Sequence, residues 1–172
     1  MPRRAPELAL RVALVSALGP LGCVSTSFDG HVFESSELSF RLDSVPSGWR
    51  PVDADGALLA YRDDATPATV AVGGRCGKDG DDVPLEALTH HLFFEFTERK
   101  IEDQVVLPLD GREALRTDLV AKLDGVAKRF SIVVLKKNGC VYDFMYIAPP
   151  DASQEGRNTF VAFVEGFRTI RP

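Results

Sequence analysis

Tryptophan occurs once in these 172 residues, methionine twice, and histidine, cysteine and tyrosine three times each. So few soft ligands, with no Cys-x-x-Cys and no His-Glu-x-x-His, exclude the common zinc and dithiol-redox motifs. Positive charge is also short: 20 Lys+Arg stand against 25 Asp+Glu, a net charge of -5. That balance lacks the basic footprint that nucleic-acid binding requires. There is no Gly-x-Ser-x-Gly and no phosphate-cradling glycine loop, since Gly73-Gly74-Arg75 is too brief, and no apolar run reaches the roughly 20 residues that span a bilayer. No resident cofactor is expected. What is present is core-building material: 45% of residues are hydrophobic and 11 are Phe. At this length one globular domain buries about 70% of the surface exposed by its unfolded chain.

The first twenty-three residues are organised differently from the rest. Arg3, Arg4 and Arg11 give a cationic start, and Val12 to Leu18 form a short greasy segment ended by Gly19-Pro20, the pattern of a secretory signal. Gly22-Cys23 follows where a signal peptidase would cut and resembles the lipobox of bacterial lipoproteins, in which the cysteine carries acyl chains. The match departs from the usual pattern at Pro20 and Leu21, and cleavage after Ala17 is the rival reading. Lipidation of Cys23 is the expectation adopted, since several acyl chains, at about 0.8 kcal/mol per buried CH₂, anchor a protein stably. Residues 1–22 are then a signal peptide and 23–31 the lipidated cysteine with a short tether. Residues 32–172 form the domain. Losing residues 1–22 removes three Arg and one Glu, leaving 17 basic and 24 acidic residues and a charge of -7. A body this acidic does not favour attachment to anionic headgroups, so the lipid does the anchoring.

Cys76 and Cys140 remain as an even pair in an oxidising compartment, which favours a disulfide over two buried free thiols. Strands are expected at Val32–Glu34, Leu38–Leu42, Leu58–Arg62 and Ala68–Gly74, with Trp49 delivered by a turn. A helix follows, capped by Asp82, with Pro84 in its first turn and Leu85, Leu88, Leu92 and Phe96 on one stripe. It ends between Lys100 and Gln104, and Phe94 points about 180° from the stripe. Asp110-Gly111, Asp124-Gly125 and Asn138-Gly139 then separate strands 105–109, 112–123, 126–136 and 140–147. In this register Leu115, Thr117, Leu119 and Leu123 share the core face with Val126, Phe130, Ile132 and Val134, while Arg116, Asp118, Lys122 and Arg129 lie opposite. Residues 140–147 carry large apolar groups on both faces, which implies helices on both faces of the sheet. Asp143 falls on the core face unless a bulge at Asn138-Gly139 turns it out, and the sequence leaves that register open. A second helix starts at Asp151 or Ser153 and presents Phe160, Phe163, Val164 and Phe167.

In order, "ELSFRLDSVPSGWR", a strand ending at Gly73-Gly74, an amphipathic helix, "LDGREALRTDL", a long hairpin, "CVYDFMYIAPP" and a Phe-rich terminal helix resemble the PsbP/DcrB-like group. The resemblance covers residues 32 to 170 and implies an α+β fold, an α/β/α sandwich with a central, mostly antiparallel sheet and helices on both faces. Its markers are structural, so it speaks to architecture more than to activity. In that group the fold mostly serves binding or assembly.

Candidate sites are sparse. His90 and His91 diverge by about 100° on a helix, unlike a zinc pair at i and i+4, and His91 is expected to pair with Glu95 while His90 lies beside Phe94. Asp79, Asp81 and Asp82 lack the Glu that would complete a calcium loop and read as a solvated loop. Phe94 is either core or, if exposed beside His90 and Thr97, a partner surface. The expectation is a lipid-anchored, periplasm-facing protein, mildly favoured at the outer membrane, that works by binding and not by catalysis. It is either an adaptor for an envelope protein partner or a carrier of a small apolar ligand.

Overall fold

The computed structural model describes residues 26–77 and 83–171. The expected signal peptide, Cys23, and the loop carboxylates Asp79, Asp81 and Asp82, the last expected as a helix cap, lie outside the described residues. Short early strands come first: β1 Ser27–Phe28, β2 Val32–Glu34, β3 Ser39–Arg41, β4 Trp49–Pro51, β5 Leu59–Asp63 and β6 Ala68–Cys76. Helix α1, Leu85–Leu92, leads into β7 Thr97–Leu109, β8 Arg112–Leu123, β9 Val126–Lys137 and β10 Cys140–Ala148. Helix α2, Gln154–Glu165, and β11, Arg168–Arg171, complete the order. The strands form two antiparallel sheets, β1-β2-β3-β11 and β4-β5-β6-β10-β9-β8-β7. The fold is a sheet-rich α+β arrangement.

The turn dipeptides set the register of the larger sheet. Asp110, Asp124 and Asn138 take φ of 49°, 50° and 55°, and each following glycine is also positive, the conformation a two-residue hairpin needs. They pair Leu109 with Arg112, Leu123 with Val126 and Lys137 with Cys140. No bulge interrupts β9–β10, so Asp143 stays on the same face as Val141 and Met145.

Alternate side chains of β9 and β10 feed two clusters. Ile132, Val134 and Val141 join Leu88 of α1 and Phe93; Val133, Leu135, Tyr142, Phe144 and Tyr146 join Phe160 and Phe163 of α2. Because strand neighbours point to opposite faces, the clusters lie on opposite sides of the sheet. The second also takes in Phe33, Phe40 and Phe167, which tie the smaller sheet to the larger. Each fully buried Phe contributes about 1.5–3 kcal/mol of transfer free energy.

Several expectations are corrected. The first helix stops at Leu92, with Phe93 as its C-cap at φ -127° and ψ 20°. Phe93 and Phe96 then reach the core through a turn, Phe96 lying 4.6 Å from Phe130 between ring centroids. Thr97 onward pairs with β8, and this ladder outweighs the helical propensity of Glu98-Arg99-Lys100. Thr97 is therefore a strand residue and not a helical neighbour of Phe94. Ser27 and Phe28, expected in the tether, pair with Glu34 and Phe33, and Phe28 packs on the core. Trp49 closes the expected turn, donating its N–H to the Pro46 carbonyl at 3.2 Å, and also begins a strand, and its half-buried ring lies 5.4 Å from Phe163. Phe167 lies beyond α2, whose last turn ends at Gly166, and the strand after it pairs with β3. Asp118, expected on a polar face, is buried because the second cluster lies over that face.

Candidate functional site

Strand β7 is an edge: it pairs with β8 and has no strand on its other side among the described residues. All its residues but Leu107 and Leu109 are exposed. Irregularities between Thr97 and Lys100 and between Ile101 and Asp103 twist its charged half. There Glu98, Glu102 and Asp103 are drawn back to Lys122, Arg129 and Arg116 by ion pairs of 2.6, 3.1 and 3.0 Å. Gln104 to Leu107, in contrast, keep a regular register and carry no charge. Ile101 and Val106, 43% and 57% exposed, stand opposite Leu119 and Leu115 on the same sheet face as the first cluster.

Val106, Leu107 and Pro108 also form one wall of an open groove of about 820 Å³, closed by Leu85, Gly111, Arg112, Glu113 and Lys136. Lys136 is held in place by donating from Nζ to the Val83 carbonyl at 2.8 Å. The groove is thus apolar along its strand and polar at its far rim.

Phe94 is 61% exposed and stacks on His91 with ring centroids 6.1 Å apart. His90 instead lies 5.1 Å from the buried Phe93, so the expected His90–Phe94 association is replaced by His91–Phe94. The expected His91–Glu95 pair needs a helix that runs to Glu95, which this one does not. Among the described residues, no three His, Cys, Asp or Glu side chains converge to hold a metal.

Beside α1 lies a second concavity of about 310 Å³, lined by Arg75, Val83, Ala87, Leu88 and His91. Behind Arg75, Asp143 leans over Gly73, where a Cβ would lie closer than van der Waals contact to its carboxylate. Burial raises the Asp143 pKa, and the Arg75 guanidinium, 3.7 Å away, offsets this only in part. Three residues away from Asp143 along β10, Cys140 is bridged to Cys76, the strand residue directly opposite. On the other face Asp118, its side chain 4% exposed, pairs with Arg157 of α2 at 3.1 Å and Arg116 at 3.3 Å.

Neither a protein-family model nor a curated protein sequence matches the chain. Solved structures do. The solution structure of cyanobacterial PsbP (CyanoP) from Synechocystis sp. PCC 6803 superposes with a TM-score of 0.55 at 13% identity, covering 90% of this chain and 98% of that one. The chain has a PsbP-like fold. The crystal structure of LpqN, involved in cell envelope biogenesis of Mycobacterium tuberculosis, gives 0.52 at 17% identity over 78% and 86%. A Bacteroides thetaiotaomicron structure gives 0.55 at 10% identity over 77% of this chain, which spans 45% of that chain's length. These identities speak for the PsbP-like fold alone.

Sequence reasoning singled out Phe94 but missed the edge and the niche. Residues 105–109 are expected as a strand, but the charged run 98–103 reads equally as a helix surface, so nothing local marked the first half of β7 as one. Asp143 within an apolar strand was a visible signal, but its partner Gly73 is found only through the β6–β10 register.

Proposed function

We propose that the protein is a lipid-anchored bacterial envelope protein whose PsbP-like domain, residues 32–172 with a helix over each face of the larger sheet, is a non-catalytic binding module. It holds an extended segment of an envelope protein partner along β7. The observation that carries this reading is the open edge of β7, whose uncharged stretch from Gln104 to Leu107 borders the 820 Å³ groove. An added strand gains main-chain hydrogen bonds along such an edge, and alternate side chains select the sequence. Val106 and Phe94 supply exposed apolar surface for it. The amino-terminal signal with Cys23, and the involvement of LpqN in cell envelope biogenesis, support the location.

A photo-crosslinking residue at Val106 in intact cells is expected to capture a discrete partner that the same residue at Asp55 does not. Equal capture from both positions would sink the reading. Cys23→Ala is expected to release the protein from the membrane fraction.

A second reading, carriage of a small apolar ligand, is favoured by the groove volume, which falls in the range of about 300–1,000 Å³ for ligand sites. It predicts an extractable apolar molecule that co-purifies with the protein and is lost in Leu85→Glu.

A further inference from the structure

Asp143 is a carboxylate on a core-facing strand position with few of the partners such a group needs. Val141 and Met145, two residues to either side, contribute to the first cluster, and its cross-strand neighbours are Val134 and Gly73. Its side chain is 17% exposed. Among the described residues only Arg75 is within ion-pair range, and at 3.7 Å the two charges are too far apart for a good hydrogen bond. A half-buried carboxylate in that state forfeits the hydrogen bonds that ordinarily offset desolvation. The bare backbone of Gly73 provides the room that this costly arrangement occupies.

Arg75 is the complementary half. Its side chain is 40% exposed, it lines the 310 Å³ concavity, and its planar fork is suited to bidentate pairing with a carboxylate. The opposite wall is apolar, formed by Val83, Ala87 and Leu88, with His91 also on the lining. The volume is at the small end of ligand sites, enough for a molecule of amino-acid size.

We propose that this niche binds a small zwitterion, an α-amino acid with an apolar side chain. Its carboxylate takes the Arg75 fork and its side chain lies against Val83, Ala87 and Leu88, while its ammonium reaches past this lining to Asp143, 3.7 Å behind the guanidinium. A ligand of this kind satisfies both charges at once. A simple cation would leave Arg75 unsatisfied, and a simple anion would add repulsion to Asp143. The niche is beside α1, not along β7, and the inference is independent of the adaptor reading.

Isothermal titration of the full chain with leucine, valine and phenylalanine tests it, against N-acetyl-leucine, which lacks the ammonium, and leucinamide, which lacks the carboxylate. Saturable binding of at least one free amino acid is expected, with both capped forms weaker by at least about tenfold. Asp143→Asn and Arg75→Gln should each abolish it. If either variant fails to fold, Ala87→Trp, on the exposed side of α1, fills the concavity instead and should also remove binding. No binding by any of the three at about 10 mM, or N-acetyl-leucine binding as well as leucine, overturns the proposal. Crosslinking from Val106 should be unchanged in Ala87→Trp, which separates this site from the partner surface.

Discussion

The carboxylate of Asp110 accepts hydrogen bonds from both the backbone N–H and the hydroxyl of Thr169, each at 2.8 Å, across 59 residues of sequence. Lys137 Nζ pairs with the same oxygen at 2.7 Å and donates to the Asp110 carbonyl. One turn residue of the larger sheet thereby fastens β11, which belongs to the smaller one. Burial raises the Asp110 pKa, but Lys137 and Thr169 outweigh it and hold the carboxyl below the usual carboxylate range. A depressed folded pKa contributes stability that is fully present above the unfolded value of about 3.9 and is lost as pH falls through the folded value.

Asp110→Asn keeps a residue tolerant of the positive φ and removes the charge, and should cost about 1–3 kcal/mol at pH 7. Urea unfolding across pH should show the deficit shrinking below about pH 4, as the native carboxylate is itself protonated.

Asp143 should behave with the opposite sign. Its raised pKa means that the folded state prefers the neutral acid, so the group costs stability as pH rises through the folded pKa and costs none well below the unfolded one. Asp143→Asn is therefore expected to be neutral or stabilising by about 1 kcal/mol at pH 7, with no gain near pH 3. A loss at pH 7 that persists at acid pH would contradict this.

Gly73→Ala places a methyl against the Asp143 carboxylate and should destabilise by about 1–3 kcal/mol. In the background of Asp143→Ala the cost should largely vanish, giving a coupling energy measurable in a double-mutant cycle.

Asp118→Asn takes from Arg157 its carboxylate partner and leaves Arg116 with Asp103 alone, and should cost about 1–3 kcal/mol. Arg157→Met should cost less, because Arg116 still neutralises the carboxylate. The two melting temperatures order the effects.

Reduction of Cys76–Cys140 releases a loop of 64 residues and should lower stability by roughly 4 kcal/mol in the loop-entropy account. Denaturant midpoints with and without reductant measure this directly. Phe94→Ser, on an exposed side chain, should stay within about 0.5 kcal/mol of the parent.

The hairpins were determined by the sequence alone. Asp110-Gly111, Asp124-Gly125 and Asn138-Gly139 are dipeptides whose backbone preference is local, so the pairing of β7 through β10 near each turn follows from them without reference to the rest of the chain. The alternation of Phe130, Ile132 and Val134 with their neighbours is equally local, as is the two-sided apolar character of β10. The cysteine pair could be named, but its bridge depends on β6 lying beside β10, a pairing across 64 residues. Only the tertiary structure decided where α1 ends. Residues 98–103 have good helical propensity, and a strand wins there because β8 offers a ladder that no short window of sequence contains. The same holds for the site. Val106 is an ordinary strand valine until β7 is seen to be an edge, and Asp143 is an ordinary acid until the register sets Gly73 beside it and Arg75 within reach. Local backbone preference is written in adjacent residues, whereas burial, edge position and charge partnership arise only when distant segments meet.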